Sequence, residues 1–254
     1  MARDRRDFFY RKAKVDGYRS RAAYKLKQIN EKFKLIEKGD TVIDLGAAPG
    51  GWLQVAKELS GGKVVGVDIL PIEEIEGVDL IKGDIRLDRT IEKIRDKIKK
   101  EGADIVLCDA APNMSGSWSY DHARSIDLAT SAFECARKLL KNGGSFAVKV
   151  FQGDMFPDYL NKVHGCFGRV QAFSPEASRK QSAEIYVIGK ELLTDAVKMD
   201  GEYEVTIEDT GASGDGIARV NNFVVFVKDA QKGEKLKIRI RFIKPYFAFG
   251  EKIE

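Results

Sequence analysis

Lys149 stands inside SFAVKVF (residues 145–151), a stretch that otherwise has the unbroken apolar character of a central β-strand. Lysine is almost never fully buried without a partner, because taking an ammonium out of water is costly. Acidic residues recur at comparable places. Asp68 ends the strand pattern of KVVGVDIL (63–70), Asp84 that of VDLIKGD (78–84) and Asp109 that of ADIVLCDA (103–110). Glu184 opens AEIYVIGK, and Lys25 lies in a helical pattern near the N-terminus. Two amines and two carboxylates gathered at one edge suit orientation and deprotonation of an alcohol. The plainer alternatives are a lysine snorkelling to water at a strand end and aspartates that cap the following helices.

These residues can meet only if the elements that carry them are layered in a particular way. From Ser20 to Phe33, Ala22, Leu26, Ile29 and Phe33 recur at helical spacing, with Ser20 as the expected N-cap. TVIDLG (41–46) reads as a strand and leads through a glycine-rich turn into the helical WLQVAKELS. RTIEKIRDKIKKEG predicts a helix stopped by a glycine, and HARSIDLATSAFECARKLLKNGG a long one stopped by Gly143. Strands alternating with helices predict an α/β fold: a Rossmann-like, parallel, doubly wound sheet with helices on both faces. Its strands would deliver Asp68, Asp84, Asp109 and Lys149 to one rim, the carboxyl-end rim where such sheets bind ligands.

From about Leu192 the helical patterns stop. EYEVTIED, GIARVNNFVVFV and EKLKIRIRFIKPYFAFG alternate polar and apolar residues. This predicts a second domain over 192–251, a small all-β barrel, after a first domain over 1–190. In KLKIRIRF the period of two puts Lys235, Lys237, Arg239 and Arg241 on one face and Leu236, Ile238, Ile240 and Phe242 on the other.

The chain has 254 residues, 43% hydrophobic and 32% charged, a globular composition without a run of about 18 apolar residues that would suggest a membrane span. No apolar secretory centre follows MARDRRDFFYRKAK, so a cytoplasmic protein is expected. Cys108, Cys135 and Cys166 fit no disulfide or zinc spacing, and with His122 and His164 alone, histidine-based chemistry has little support. The net charge of +4 is uneven. Residues 1–38 carry 13 Lys/Arg against 5 Asp/Glu, so the remainder is net negative. The basic end is interleaved with Phe8, Phe9, Tyr10, Tyr18 and Tyr24, a mixture that suits a polyanion whose bases can stack on rings.

The turn DLGAAPGGW (44–52) has glycine spacing unlike that of the dinucleotide fingerprint, which disfavours a nicotinamide dehydrogenase. Carboxylates at three strand ends suit a cationic, phosphate-free adenosine ligand such as S-adenosylmethionine. Asp68 could accept from the ribose hydroxyls, Asp84 from the adenine amino group, and Asp109 would lie beside the methyl donor.

RSRAAYKL, DLGAAPGGW, DAAPNMSG, AVKVFQG and SRKQSAEIY, taken in order over about residues 10–190, resemble the motifs of the FtsJ/RrmJ (RlmE) family of ribose 2′-O-methyltransferases. That resemblance implies a catalytic tetrad of Lys25, Asp109, Lys149 and Glu184, and cofactor contacts at Gly50, Trp52, Asp68, Asp84 and Asp109. It implies methylation of a uridine in the A-loop of large-subunit (23S) rRNA, free or in the 50S subunit, by a monomer that needs neither metal nor membrane. Ser174 stands where members often carry lysine before the proline, which could weaken one RNA contact. GASGDGIARVNNFVVFV (211–227) resembles a TRAM module, an RNA-associated barrel fused to this enzyme in archaeal members. RNA is then expected to be gripped by Arg3, Arg5, Arg6, Arg11, Lys12, Arg19 and Arg21 on one side, and by Arg179 and Lys180 on the other. A methyltransferase of tRNA or of RNA caps is the alternative within the class, and a noncatalytic RNA-binding assembly factor the alternative outside it. The sequence leaves the charge of Lys149 open, as base or as orienting group.

Overall fold

A computed structural model describes residues 8–98, 100–179, 182–211 and 214–253. Arg3, Arg5, Arg6 and Lys180 lie outside these residues. The chain opens with α1 (Phe8–Val15) and α2 (Ala22–Phe33). Then follow β1 (Val42–Leu45), α3 (Gly51–Ser60), β2 (Val64–Asp68), β3 (Val78–Lys82), α4 (Asp88–Arg95) and β4 (Ala103–Cys108). Next come α5 (Trp118–Leu139), β5 (Leu140–Phe151), α6 (Phe156–His164), β6 (Phe167–Phe173) and β7 (Glu184–Leu192).

The seven strands form one sheet in the order β3-β2-β1-β4-β5-β7-β6. Strands β1 to β5 run parallel, but β7 pairs antiparallel with β5, so the sheet is mixed and not wholly parallel. The order reverses between β1 and β4, which makes the ends of these two strands the ligand crevice of an open α/β sheet. Every residue of β1 is buried, as expected of a strand covered on both faces. On one face, Ala23, Leu26 and Ile29 of α2 and Leu53, Val55 and Ala56 of α3 pack with Val42, Leu107, Ala147 and Tyr186. On the other, Phe133 of α5 meets Phe146, the neighbour of Ala147, at 5.9 Å between ring centroids.

Helix boundaries depart from the sequence reading where local packing outweighs the capping residue. Helix α2 starts from Arg21 without a side-chain cap. Ser20 instead lies so close to Gly51 that a Cβ there would come within 2.3 Å of its hydroxyl. Helix α4 ends at Arg95, short of the glycine. Helix α5 ends at Leu139, and Gly143 (φ +78°) falls inside the β5 span, so it does not stop the helix. Helices α1 and α6 and strand β6 add elements the pattern did not separate.

The chain divides into two compact units. One runs through Gly165 and takes in Arg169–Lys190; the other comprises Cys166–Gly168 and the chain from Glu191 on. The second unit carries β8 (Glu202–Thr206), β9 (Asp209–Thr210), β10 (Gly216–Val220), β11 (Phe223–Val227), β12 (Lys235–Ile243) and β13 (Phe247–Ile253). Its sheet has the order β8-β12-β13-β11-β10-β9, and β8 also lies against β10, so the sheet curls around Val205, Val225, Val227, Ile238 and Ile240. One expected face is broken. The register against β13 shifts between Ile240 and Phe242, and this irregularity leaves Phe242 45% exposed where alternation put it inward. No helix among the described residues is long and apolar enough to cross a membrane.

Candidate active site

The register of three adjacent strands builds the centre. Cys108 pairs with Val148 across β4 and β5, so the next residues, Asp109 and Lys149, stand side by side. Lys149 in turn pairs with Tyr186 on β7, and Phe151 with Glu184. Helix α2 brings Lys25 over the same face. The Lys149 ammonium donates to the backbone oxygen of Asp109 at 2.6 Å and lies 3.0 Å from its Oδ1. Lys25 donates to Glu184 Oε2 at 2.8 Å and lies 3.8 Å from the same Asp109 Oδ1. The Tyr186 hydroxyl donates to that oxygen as well, at 2.6 Å. Four residues distant in the chain thus converge, with both amines turned toward one carboxylate.

Both lysines are buried, Lys25 at 6% exposure and Lys149 at 8%. Burial alone would pull the Lys149 pKa down, but the carboxylates of Asp109 and Glu184 outweigh it and hold the amine above its ordinary value. For Asp109, burial works upward, yet Lys149 and Lys25 together with the bonds from Tyr186 and Lys149 hold its carboxyl below the usual range. Lys149 and Asp109 therefore each favour the charged form of the other. That direction favours the ammonium form of Lys149 at neutral pH.

The cofactor candidates fall around the ends of β1 to β4. Gly50 adopts φ +106° at the start of α3, a backbone conformation that L side chains rarely adopt, and a Cβ there would also come within 3.0 Å of Arg19 and Ile75. Asp68 accepts from the Ala48 N–H at 2.9 Å and the Leu70 N–H at 2.8 Å, which fixes its carboxylate on the turn. Asp84 lies beyond the end of β3 and holds the Arg86 guanidinium at 2.8 Å, so its carboxyl sits below the usual range. Trp52 is buried; its indole N–H donates to Ala22 O at 2.8 Å and its ring tilts against Tyr186.

Arg19 is held within the fold. Its guanidinium donates to the carbonyls of Pro49, Glu73 and Glu74, at 3.2, 2.7 and 2.7 Å, and so braces the chain beyond β2 against the glycine turn. Arg21 bonds to Ala177 O and is close enough to Arg179 and Glu184 to feel their charge. Arg11 and Arg179 are exposed, and Lys12 pairs with Asp16 at 2.9 Å.

Two residues at this site escaped the sequence reading. Tyr186 is one, because a tyrosine in an apolar strand carries no mark of its hydroxyl's partner. Asp44 is the other. It is 1% exposed in the middle of β1, and neither carboxylate oxygen has a hydrogen-bond partner among the described residues. Burial, with Asp109 and Asp68 nearby, pushes its pKa well above the ordinary value. The anomaly that singled out Lys149, a charged type inside VIDL, was present there too.

Residues 18–192 match the model of the FtsJ-like methyltransferases, and residues 201–253 that of the TRAM domain. The chain belongs to the FtsJ-like methyltransferase family. The ribosomal RNA large subunit methyltransferase E of Methanosarcina mazei is 62% identical over 251 residues, 99% of this chain and 94% of that protein. Its counterpart in Methanococcoides burtonii is 63% identical, over 98% of this chain and 94% of its own length. A solved Plasmodium falciparum structure assigned as a ribosomal RNA methyltransferase is 29% identical with a TM-score of 0.64, covering 69% of this chain and 98% of that one.

S-adenosylmethionine is the methyl donor that membership assigns to the chain, and the residues present fit it. Asp44, buried at the crevice with neither carboxyl oxygen hydrogen-bonded among the described residues, lies within electrostatic reach of both Asp68 and Asp109. Such a site disfavours an anionic pyrophosphate and favours a ligand that carries positive charge.

Proposed function

We propose that this protein methylates a ribose 2′-hydroxyl of large-subunit ribosomal RNA, with a uridine of the A-loop as target. The observation that carries the reading is the meeting of Lys25, Lys149 and Tyr186 on one oxygen of Asp109, at the crevice where the family binds its donor. The names of the relatives and the matched TRAM domain support RNA as the substrate, and such a substrate puts the working place of the enzyme in the cytoplasm.

S-adenosylmethionine supplies an electrophilic methyl carbon, and in-line displacement at that carbon needs an aligned oxygen more than a strong base. The Lys149 ammonium has three N–H groups, and Asp109 engages it at two points. The third is available to a hydroxyl oxygen, which it orients and whose growing negative charge it offsets. None of the contacts from Lys149, Lys25 or Tyr186 uses Asp109 Oδ2, which we assign as acceptor of the hydroxyl proton. A depressed pKa does not disqualify it, because the proton becomes strongly acidic as the oxygen–carbon bond forms. Lys25 and Glu184 hold the cluster together and flank the ribose. Gly50, Asp68 and Asp84 hold the nucleoside part of the donor, and Trp52, whose ring is turned into the core, contributes through its backbone.

Arg11, Lys12, Arg21 and Arg179 are the described cations assigned to the RNA backbone, with Arg3, Arg5, Arg6 and Lys180 completing the set. In the second unit, Lys244 lies over the exposed Phe242 ring at 5.0 Å, and the exposed Phe249 packs near it. Rings with a cation beside them are stacking platforms for unpaired bases. Mapping 2′-O-methyl groups on rRNA incubated with the enzyme and donor tests the assignment. One new mark in the A-loop is expected, absent with Lys149→Ala although that variant still binds S-adenosylmethionine. Near-normal transfer by Lys149→Ala, or a mark on a base, would overturn it.

A further inference from the structure

Trp118, the first residue of α5, is 50% exposed, whereas the other tryptophan, Trp52, is 3% exposed. Half an indole left in water forgoes a large hydrophobic gain. Yet the ring is held in a set plane. It lies nearly parallel to the His122 imidazole (6.0 Å between centroids, 15°) and to the Phe151 ring (6.1 Å, 23°).

Both supports are themselves fixed. His122 is buried, and its Nε2 accepts from the Met155 N–H at 3.2 Å. Gly153 leaves room for that imidazole, since a Cβ there would stand 2.7 Å from the ring. The Phe151 N–H donates to Ser125 Oγ at 3.0 Å. The loop leading to Trp118 is tied down by the buried Asp121, which accepts from the Ser115 N–H (2.7 Å), the Ser115 hydroxyl (2.8 Å) and the Gly116 N–H (3.1 Å). The indole is therefore preorganised, which reduces the entropy lost when something stacks on it.

Its position names the ligand. Phe151, whose ring lies 6.1 Å from the indole, is two residues beyond Lys149, on the order of 7 Å along the strand, and pairs with Glu184. The nucleoside end of the donor is assigned to Asp68 and Asp84, after β2 and β3, across β1 and β4 from β5. An adenine held there is not the partner of Trp118. What must come to the β5 side is the acceptor strand.

We propose that Trp118 is a stacking platform for a base of the RNA, at or next to the nucleotide whose ribose reaches Lys149. This rests on the RNA reading above. The test begins with the unaltered enzyme, titrated with single-stranded RNA carrying the A-loop sequence and, separately, with inorganic polyphosphate, while acrylamide-accessible tryptophan emission is followed. RNA should quench the emission and shield the indole; polyphosphate, which has charge but no bases, should do neither. Trp118→Leu keeps an apolar cover on Phe151 but loses the π-face, and should raise the KM for RNA about tenfold, as the loss of one stacked base does. Trp118→Phe should stay within about threefold of the parent, and both should bind S-adenosylmethionine normally. Emission that RNA leaves unmoved, or an unchanged KM in Trp118→Leu, would overturn the platform. If RNA quenches the indole but no 2′-O-methyl group forms, the reaction assignment fails and the platform stands. If methylation proceeds while the indole stays silent, the reverse holds.

Discussion

Lys149 as an ammonium and Lys149 as a neutral base make different demands on pH. A neutral amine would become available about tenfold more with each pH unit below its pKa, and that pKa is raised by Asp109 and Glu184 against the effect of burial. The charged reading predicts that transfer at saturating RNA and donor is flat through neutrality and declines only in acid, as Asp109 takes up a proton below the usual carboxylate range. A rate climbing tenfold per unit around neutral pH would restore the lysine base. The same shifts act on stability. The raised pKa of Lys149 stabilises the fold below the unfolded value near ~10.4 and loses its contribution as pH rises through the folded value. The lowered pKa of Asp109 stabilises above ~3.9 and loses its contribution as pH falls. Tyr186→Phe removes one of the donors that hold Asp109 down, so its pKa should rise and the acid limb of the profile should move to higher pH. A hydrogen bond to a charged group is worth about 1.5–3 kcal/mol, so kcat should fall roughly tenfold or more with donor affinity unchanged. A profile that does not move would mean that the hydroxyl does not govern Asp109.

At the scale of elements, the turn after β1 and the chain after β2 are held together by one side chain. Arg19→Ala removes three bonds to the carbonyls of Pro49, Glu73 and Glu74, each worth about 1 kcal/mol. Calorimetry should show S-adenosylmethionine binding weakened at least tenfold, while the salt dependence of RNA affinity stays as it was. A slope that falls by about 0.7, the loss of one phosphate contact on a single strand, would return Arg19 to the phosphate contacts expected of it. That difference also marks where sequence reading stops. Bonds to backbone carbonyls leave no trace in the partner's residue type, so a basic residue in a basic segment reads as an RNA ligand. Lys149, Asp109 and Glu184 stood out for the opposite reason: an amine or carboxylate inside or at the end of an apolar strand is anomalous in one dimension, and the alternation of elements brings strand ends to one rim. Asp44 had the same signature. Lys25, on a helix, has no such mark, and its place in the tetrad came from the family resemblance. The antiparallel pairing of β7 with β5, and the register shift of β12 against β13 that turns Phe242 outward, are properties of strand pairs and not of either strand alone.

At the scale of the whole molecule, the balance of charge decides which surfaces can hold RNA. The basic stripe of the second unit is largely neutralised from neighbouring strands. Glu202 takes Lys237 and Arg239, each at 2.6 Å, and Arg241 pairs with Asp200 at 2.9 Å and with Glu251. Bonds from Arg239 and Lys237 bring the Glu202 pKa down to about 2. Phosphates would have to displace carboxylates there, whereas Phe242, Tyr246 and Phe249 already lie exposed. Stacking and charge separate by salt. Phe249→Leu should weaken RNA binding by a similar factor at low and high salt, leaving the slope of log affinity against log salt unchanged, because no counterion is released by a stacked base. Glu202→Gln should free two cations, tighten binding at low salt and steepen the slope by about 0.7 for each phosphate gained on a single strand. If neither substitution alters affinity or slope, the second unit does not touch RNA and that part of the proposed interface falls, while the tetrad and its chemistry stand apart from it.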